Sequence, residues 1–118
     1  MSKSILVAED APDVRKIMKL MLERFGYRVF EAADGFEAVQ IVEREVPDLI
    51  LMDMAMPVMD GVQAANAIRN LDHKTPILCI TAFSDRYHDQ ALAAGCDAVI
   101  KKPLNLDRLR PLVEQYLN

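Results

Sequence analysis

Apolar residues recur along this chain in two alternating patterns. Runs of strand length stand at Ile5 to Ala8, Leu49 to Met52, Ile77 to Ile80 and Ala98 to Ile100, with a weaker run from Tyr27 to Phe30 that Arg28 interrupts. Stretches of helical period separate them. Val14, Ile17, Met18, Met21, Leu22 and Phe25 form one apolar stripe, with Arg15, Lys16, Lys19 and Glu23 outside it, and Gly26 supplies a stop. The pair Asp34 and Glu37 has capping-box spacing, so a second helix follows with Ala38, Val39, Val42 and Val46 inward until Pro47. A third is expected from Asp60 to Leu71, a fourth from Ser84 to Ala94 before Gly95, and a fifth from Asn105 onward. Pro111 removes a hydrogen bond from that last helix, which predicts a kink or a late start.

Strands alternating with helices imply a parallel sheet covered on both faces. The near-continuous run LILM, residues 49 to 52, fits a strand buried on both sides. The fold class is therefore α/β, a five-stranded doubly wound parallel sheet, in which ligands bind at the carboxyl ends of the strands where strand order reverses.

At 118 residues the chain has the size of one domain, residues 1–118, with no internal repeat or linker. A net charge of −4 gives no general attraction to nucleic acid or to anionic membranes, so neither is an expected direct partner. Cys79 and Cys96 form no CxxC pair, and neither a signal peptide nor a run of transmembrane length is visible. These features point to a reducing cytoplasm, with both cysteines as small core residues.

The chemistry lies just after the strands. Glu9 and Asp10 follow the first, Asp53 the third, Thr81 the fourth, and Lys101, Lys102 and Pro103 the fifth, while Glu31-Ala32-Ala33 after the second offers nothing obvious. If the first and third strands are neighbours, about 4.8 Å apart, three carboxylates converge on one small volume. Bare anions there must protonate or share a cation, and hard oxygen ligands without His or Cys suit Mg²⁺ or Mn²⁺. Thr81 adds a hydroxyl and Lys102 a point charge, both suited to phosphoryl oxygens. Taken singly these residues have plainer readings: Glu9 and Asp10 as favourable charges at a helix start, Thr81 as a strand residue, Lys102 as a solvated one. Met54, Met56 and Met59 suit packing better than hard-ion binding, and His73 and His88 lie among polar residues.

The segments ILVAEDAPDVRKIM, PDLILMDMAMPVMDG, PILCITA and GCDAVIKKP, in this order and spacing, resemble the motifs of the CheY-like receiver domain of bacterial two-component response regulators. The resemblance spans essentially the whole chain. It implies a flavodoxin-like (β/α)5 fold with strand order 2-1-3-4-5. It also implies a phosphorylation-dependent signalling switch rather than a turnover enzyme, one that assists only its own phosphorylation and dephosphorylation. On this resemblance Asp53 is the phosphoacceptor, served by a sensor histidine kinase or histidine phosphotransfer protein, and a downstream protein effector reads the result. Asp10 and Asp53 would ligate Mg²⁺ directly, Glu9 through water, and the Ala55 backbone carbonyl would complete the set. Thr81 resembles the switch hydroxyl and Lys102 the lysine of a Lys-Pro motif whose bond to Pro103 is cis. Lys101, one position earlier, should face the other way. The start of the first helix, around Val14, would face the kinase.

Two positions depart from the family pattern. Val99 stands where an aromatic residue often moves inward with the switch hydroxyl, so output must use another packing change. Ala55 offers no side chain for positioning water, whereas Phe83 could cover the site; both are expected to influence dephosphorylation. Rival functions fit less well. A phosphohydrolase of the haloacid dehalogenase type needs a second Asp where Ala55 stands, and an FMN binder needs a Ser/Thr/Gly-rich loop where the chain has AEDAPD. A pseudo-receiver that binds partners without phosphorylation is the remaining alternative.

Overall fold

A computed structural model describes residues 2–71, 73–82 and 84–117, apart from the side chains of residues 84–86 and 106. Five strands alternate with five helices: β1 (Ser4–Ala8), α1 (Pro12–Arg24), β2 (Arg28–Ala32), α2 (Gly35–Glu45), β3 (Leu49–Asp53), α3 (Gly61–Asn70), β4 (Ile77–Thr81), α4 (Ser84–Ala93), β5 (Ala98–Lys101) and α5 (Leu106–Leu117). All strand pairs are parallel, in the order β2-β1-β3-β4-β5. The order reverses at β1, which lies between β2 and β3, so the carboxyl ends of β1 and β3 open onto one crevice.

Two apolar layers flank the sheet, and strand period decides which residue enters which. Leu6, Ala8, Ile50, Met52, Ile77 and Cys79 pack with α2, α3 and α4, whereas Ile5, Val7, Leu49, Leu51, Leu78 and Ile80 pack with α1 and α5. The central strands are therefore buried on both faces, as their continuous apolar runs require. Among the described residues no helix is long and apolar enough to cross a membrane.

Helix ends follow local chemistry. Asp60 and Gln63 form a reciprocal capping box at α3, and the Asp34 side chain accepts from the Glu37 N–H at 2.8 Å. The Glu37 carboxylate accepts from the Ala33 N–H, one residue before the usual capping-box position. Gly26, at φ +98°, closes α1 in a Schellman arrangement, with its own N–H bonded to Glu23 O and that of Tyr27 bonded to Leu22 O.

The structure adds to or departs from the sequence reading at four places. Val46 does not face inward: it is the left-handed C-cap of α2, at φ 45°, and is exposed. The α1 stripe is only partly covered. Met18 and Leu22 are buried, but Val14 and Ile17 remain 41% and 51% exposed because the groove beside them is open. Helix α5 has no late start; it begins at Leu106 and carries Pro111 inside it, on an exposed face where water can serve the freed carbonyl. Lastly, both cysteines are buried core residues as expected, yet their sulfurs are joined as a disulfide. The turn after α4 carries Cys96 back over β4, where Cys79 faces the same layer.

Candidate phosphoacceptor site

Each site residue is placed by backbone that the sheet fixes. Glu9 extends β1, its N–H bonded to Ala32 O of β2 at 3.0 Å, and Asp53 is the last residue of β3, in register with Ile80. Both are buried, at 3% and 6% exposure, although both are acids. Asp10 lies beyond them at the exposed rim. One ligand oxygen from each of Glu9, Asp10 and Asp53 lies within 4.8 Å of the others.

Lys102 enters from the far side of the crevice. Its ammonium donates to Glu9 Oε1 at 2.9 Å and to Asp53 Oδ2 at 3.2 Å. The Lys102 N–H is bonded to Thr81 O at 2.9 Å, which continues the β4–β5 ladder, and the Lys102–Pro103 bond is cis. Lys101 pairs with Thr81 and is exposed, so the two lysines separate as alternation along a strand requires. Thr81 is fully buried at the end of β4. Asp53 Oδ1 accepts from the Ala55 N–H at 3.2 Å, and Ala11 N–H donates to Glu9 Oε2 at 3.2 Å.

The electrostatics leave an unmet demand. Three carboxylates face one ammonium, so anionic charge is in excess. Partial burial, then the hydrogen bond and charge of neighbouring Glu9, raise the Asp10 pKa above its ordinary value of 3.8. For Lys102, burial pulls the pKa down, but the Glu9 hydrogen bond, the Asp53 charge and hydrogen bond and the Glu9 charge outweigh it, so the ammonium is held above 10.5. A divalent cation on these hard oxygens would offset the excess negative charge, and the donor set fits Mg²⁺.

Glycine lets the end of β3 close on α3. A Cβ on Gly61 would lie 2.6 Å from Asp53 O and 2.9 Å from Met54 Cα, so backbone contact there excludes any side chain. Met54 and Met56 are buried and Met59 packs against the core, in line with a packing role. His88 is exposed and His73 half-buried. Phe83 lies outside the described residues.

The sequence profile of the response regulator receiver domain matches residues 5–114, almost the whole chain. The chain belongs to this family. Sporulation initiation phosphotransferase F of Bacillus subtilis is 30% identical to this receiver over 118 residues, covering 99% of this chain and 95% of that protein. Transcriptional regulatory protein PdtaR of Mycobacterium tuberculosis is 40% identical over 114 residues, 95% of this chain but 55% of the relative. The receiver domain of the sensor histidine kinase PA1611 of Pseudomonas aeruginosa superposes with a TM-score of 0.92 at 33% identity, covering 99% of this chain and 98% of that one. That neighbour carries a magnesium ion coordinated in its active-site cleft. Receivers are the phosphoacceptors of two-component signalling: they take phosphate from histidine kinases and act on downstream effectors.

Sequence reasoning missed one part of this receiver's site. At the end of β2, Glu31 holds Arg15 and Lys19 of α1 at 3.4 and 3.5 Å. Arg15 in turn donates to Glu9 O at 2.7 Å. The alternating charges of α1 were visible, but not which strand end would receive them.

Proposed function

We propose that residues 1–118 act as one receiver domain whose Asp53 is phosphorylated with the help of Mg²⁺, Mn²⁺ serving as a substitute. The supporting observation is the position of Asp53: buried, held at one oxygen by Lys102 and at the other by the Ala55 N–H, with Glu9 and Asp10 oxygens within 4.8 Å. Glu9, Asp10, Asp53 and the Ala55 carbonyl would hold the metal. Bound there, a divalent cation supplies charge neutralisation for the transferring phosphoryl group. The Asp53 carboxylate attacks phosphorus in line. As the P–O bond forms, the P–N bond of a partner's phosphohistidine breaks and its electron pair returns to the imidazole nitrogen.

Lys102 then exchanges part of its contact with Asp53 for a phosphoryl oxygen, and the Thr81 hydroxyl donates to another. That contact exists only in the phosphorylated state, so it shifts the population toward the active form. The donor is a histidine kinase or phosphotransfer protein, docked over the exposed Val14 and Ile17 of α1 and the adjoining groove of ≈ 500 Å³ that runs from Ile17 to Lys102 and Leu104. Output passes to a protein effector in the cytoplasm. In that compartment Cys79 and Cys96 are expected as thiols, the bond between them being one that a reducing cytosol does not maintain.

Intact-protein mass after incubation with acetyl phosphate tests the assignment. The expected result is one phosphoryl adduct on the unmutated chain with Mg²⁺, lost with EDTA and lost in Asp53→Asn. An adduct that survives Asp53→Asn would overturn the assignment. No adduct from either acetyl phosphate or phosphorylated kinase, on folded and Mg²⁺-bound protein, would replace it with the pseudo-receiver reading.

A further inference from the structure

Glu9 is held from four directions. Its N–H donates to Ala32 O of β2, its two carboxylate oxygens take Lys102 Nζ and the Ala11 N–H, and its carbonyl accepts Arg15 Nη1 at 2.7 Å. The last contact matters beyond Glu9. The carbonyl belongs to the planar peptide unit whose other half is the Asp10 N–H, so fixing the oxygen fixes the plane and the direction in which Asp10 leaves it. Asp10 sits at the exposed rim and needs such a constraint, because core packing does not surround it.

Arg15 is itself fixed. Its Nε faces Glu31 Oε1 at 3.4 Å, and Lys19 takes the other oxygen of that carboxylate at 3.5 Å. Glu31 stands on β2 beside Val7, two residues before Glu9 on the neighbouring strand. A planar guanidinium can serve a carbonyl with one nitrogen and a carboxylate with another, whereas an ammonium has no such fork. The Arg15 side chain is only 17% exposed, so this geometry is not that of a loose surface pair.

We propose that Arg15, anchored by Glu31, is a positioning residue for the cation site: it sets the Glu9–Asp10 peptide plane and thereby the placement of the Asp10 carboxylate. The inference rests on the Mg²⁺ site proposed above. It makes a prediction opposite in sign to simple electrostatics. Arg15 is a cation beside an acidic cluster, so removing its charge should strengthen Mg²⁺ binding if charge alone mattered. If positioning matters more, removal weakens binding.

The test is Mg²⁺ titration followed by amide chemical shifts, at constant ionic strength, with thermal unfolding in EDTA recorded for each variant. Arg15→Ala is expected to weaken Mg²⁺ about tenfold, the usual scale for losing a group that orients a metal ligand. Arg15→Lys keeps the charge and serves even if Arg15→Ala fails to fold; it is expected to weaken binding in the same direction. Glu31→Gln should fall between it and the unmutated chain. Val113→Ala, on the buried face of α5, controls for general destabilisation and should leave Mg²⁺ affinity unchanged. Unchanged or tighter binding in folded Arg15→Lys and Arg15→Ala would overturn the positioning role while leaving the site intact. Failure of the unmutated chain to bind Mg²⁺ would overturn the site and the inference together.

Discussion

Lys102 meets two buried carboxylates at once, and among the described residues neither carboxylate group has another cation as a partner. Lys102→Ala would leave Glu9 and Asp53 buried and facing each other. Breaking a buried ion pair on one side costs about 3 kcal/mol. The expected outcome is a loss near that size in chemical denaturation with EDTA, largely restored by Mg²⁺, together with phosphorylation that no longer alters partner binding. Normal output from the phosphorylated variant would remove the switching role from this lysine. Asp10 behaves in the opposite way to an ordinary paired acid. Its pKa is raised on folding, so the folded chain holds that proton more tightly than the unfolded one. The resulting stabilisation is full below 3.8 and is lost as pH rises through the raised value. Asp10→Asn should therefore raise the melting temperature near neutrality in EDTA and reduce its fall from acid to neutral pH, while removing the stabilisation that Mg²⁺ gives. Melting curves across pH, with and without Mg²⁺, decide both points.

The helices separate what the sequence displays locally from what it does not. The cap at Asp34 and the stop at Gly26 were legible because each is a side chain or glycine acting on backbone within a few residues. Val46 was misread because an apolar residue at helical spacing signals burial, while nothing in its chemistry signals a left-handed C-cap. That conformation places its Cβ against the backbone, at a cost of about 1–2 kcal/mol for an ordinary residue. Val46→Gly keeps the cap and removes the strain, and its exposed side chain gives up little packing. Part of the gain is offset by the freer unfolded chain, so we expect a net stabilisation of about 0.5–1 kcal/mol in denaturant titration. A destabilised variant would mean that the Val46 side chain contributes more than its exposure indicates. The first helix gives the complementary lesson. Its stripe was read correctly as amphipathic, but periodicity does not say how much of a stripe another element covers. Val14 and Ile17 stay open beside the site, on the face assigned to the kinase.

Across the whole molecule, what was legible was the strand ends. Glu9, Asp10, Asp53, Thr81 and Lys102 each stand at or just past a parallel strand, so a sheet of this topology brings them together without any further information. Arg15 with Glu31, and Cys79 with Cys96, escaped because each pair joins two different segments of the fold through side chains that have ordinary roles when read alone. The same sheet constrains how a signal can travel. Thr81 ends β4, Cys79 lies two residues before it on the layer facing α4, and Val99 is the β5 partner of Cys79. Val99 and Tyr87 both pack on that layer. With valine rather than an aromatic ring on β5, there is no large side chain at this position to swing between exposed and buried places. A movement of Thr81 must instead shift the β4–β5 edge and the packing under α4. Beryllium fluoride with Mg²⁺, a stable mimic of the phosphoryl group, should therefore change amide shifts at Asp53 and Thr81 and also at Cys79, Val99 and Tyr87. The β2 edge beyond Arg28 and the far end of α2 should stay unchanged. Shifts confined to the loops around Asp53 would mean that the phosphoryl group binds without transmitting a change.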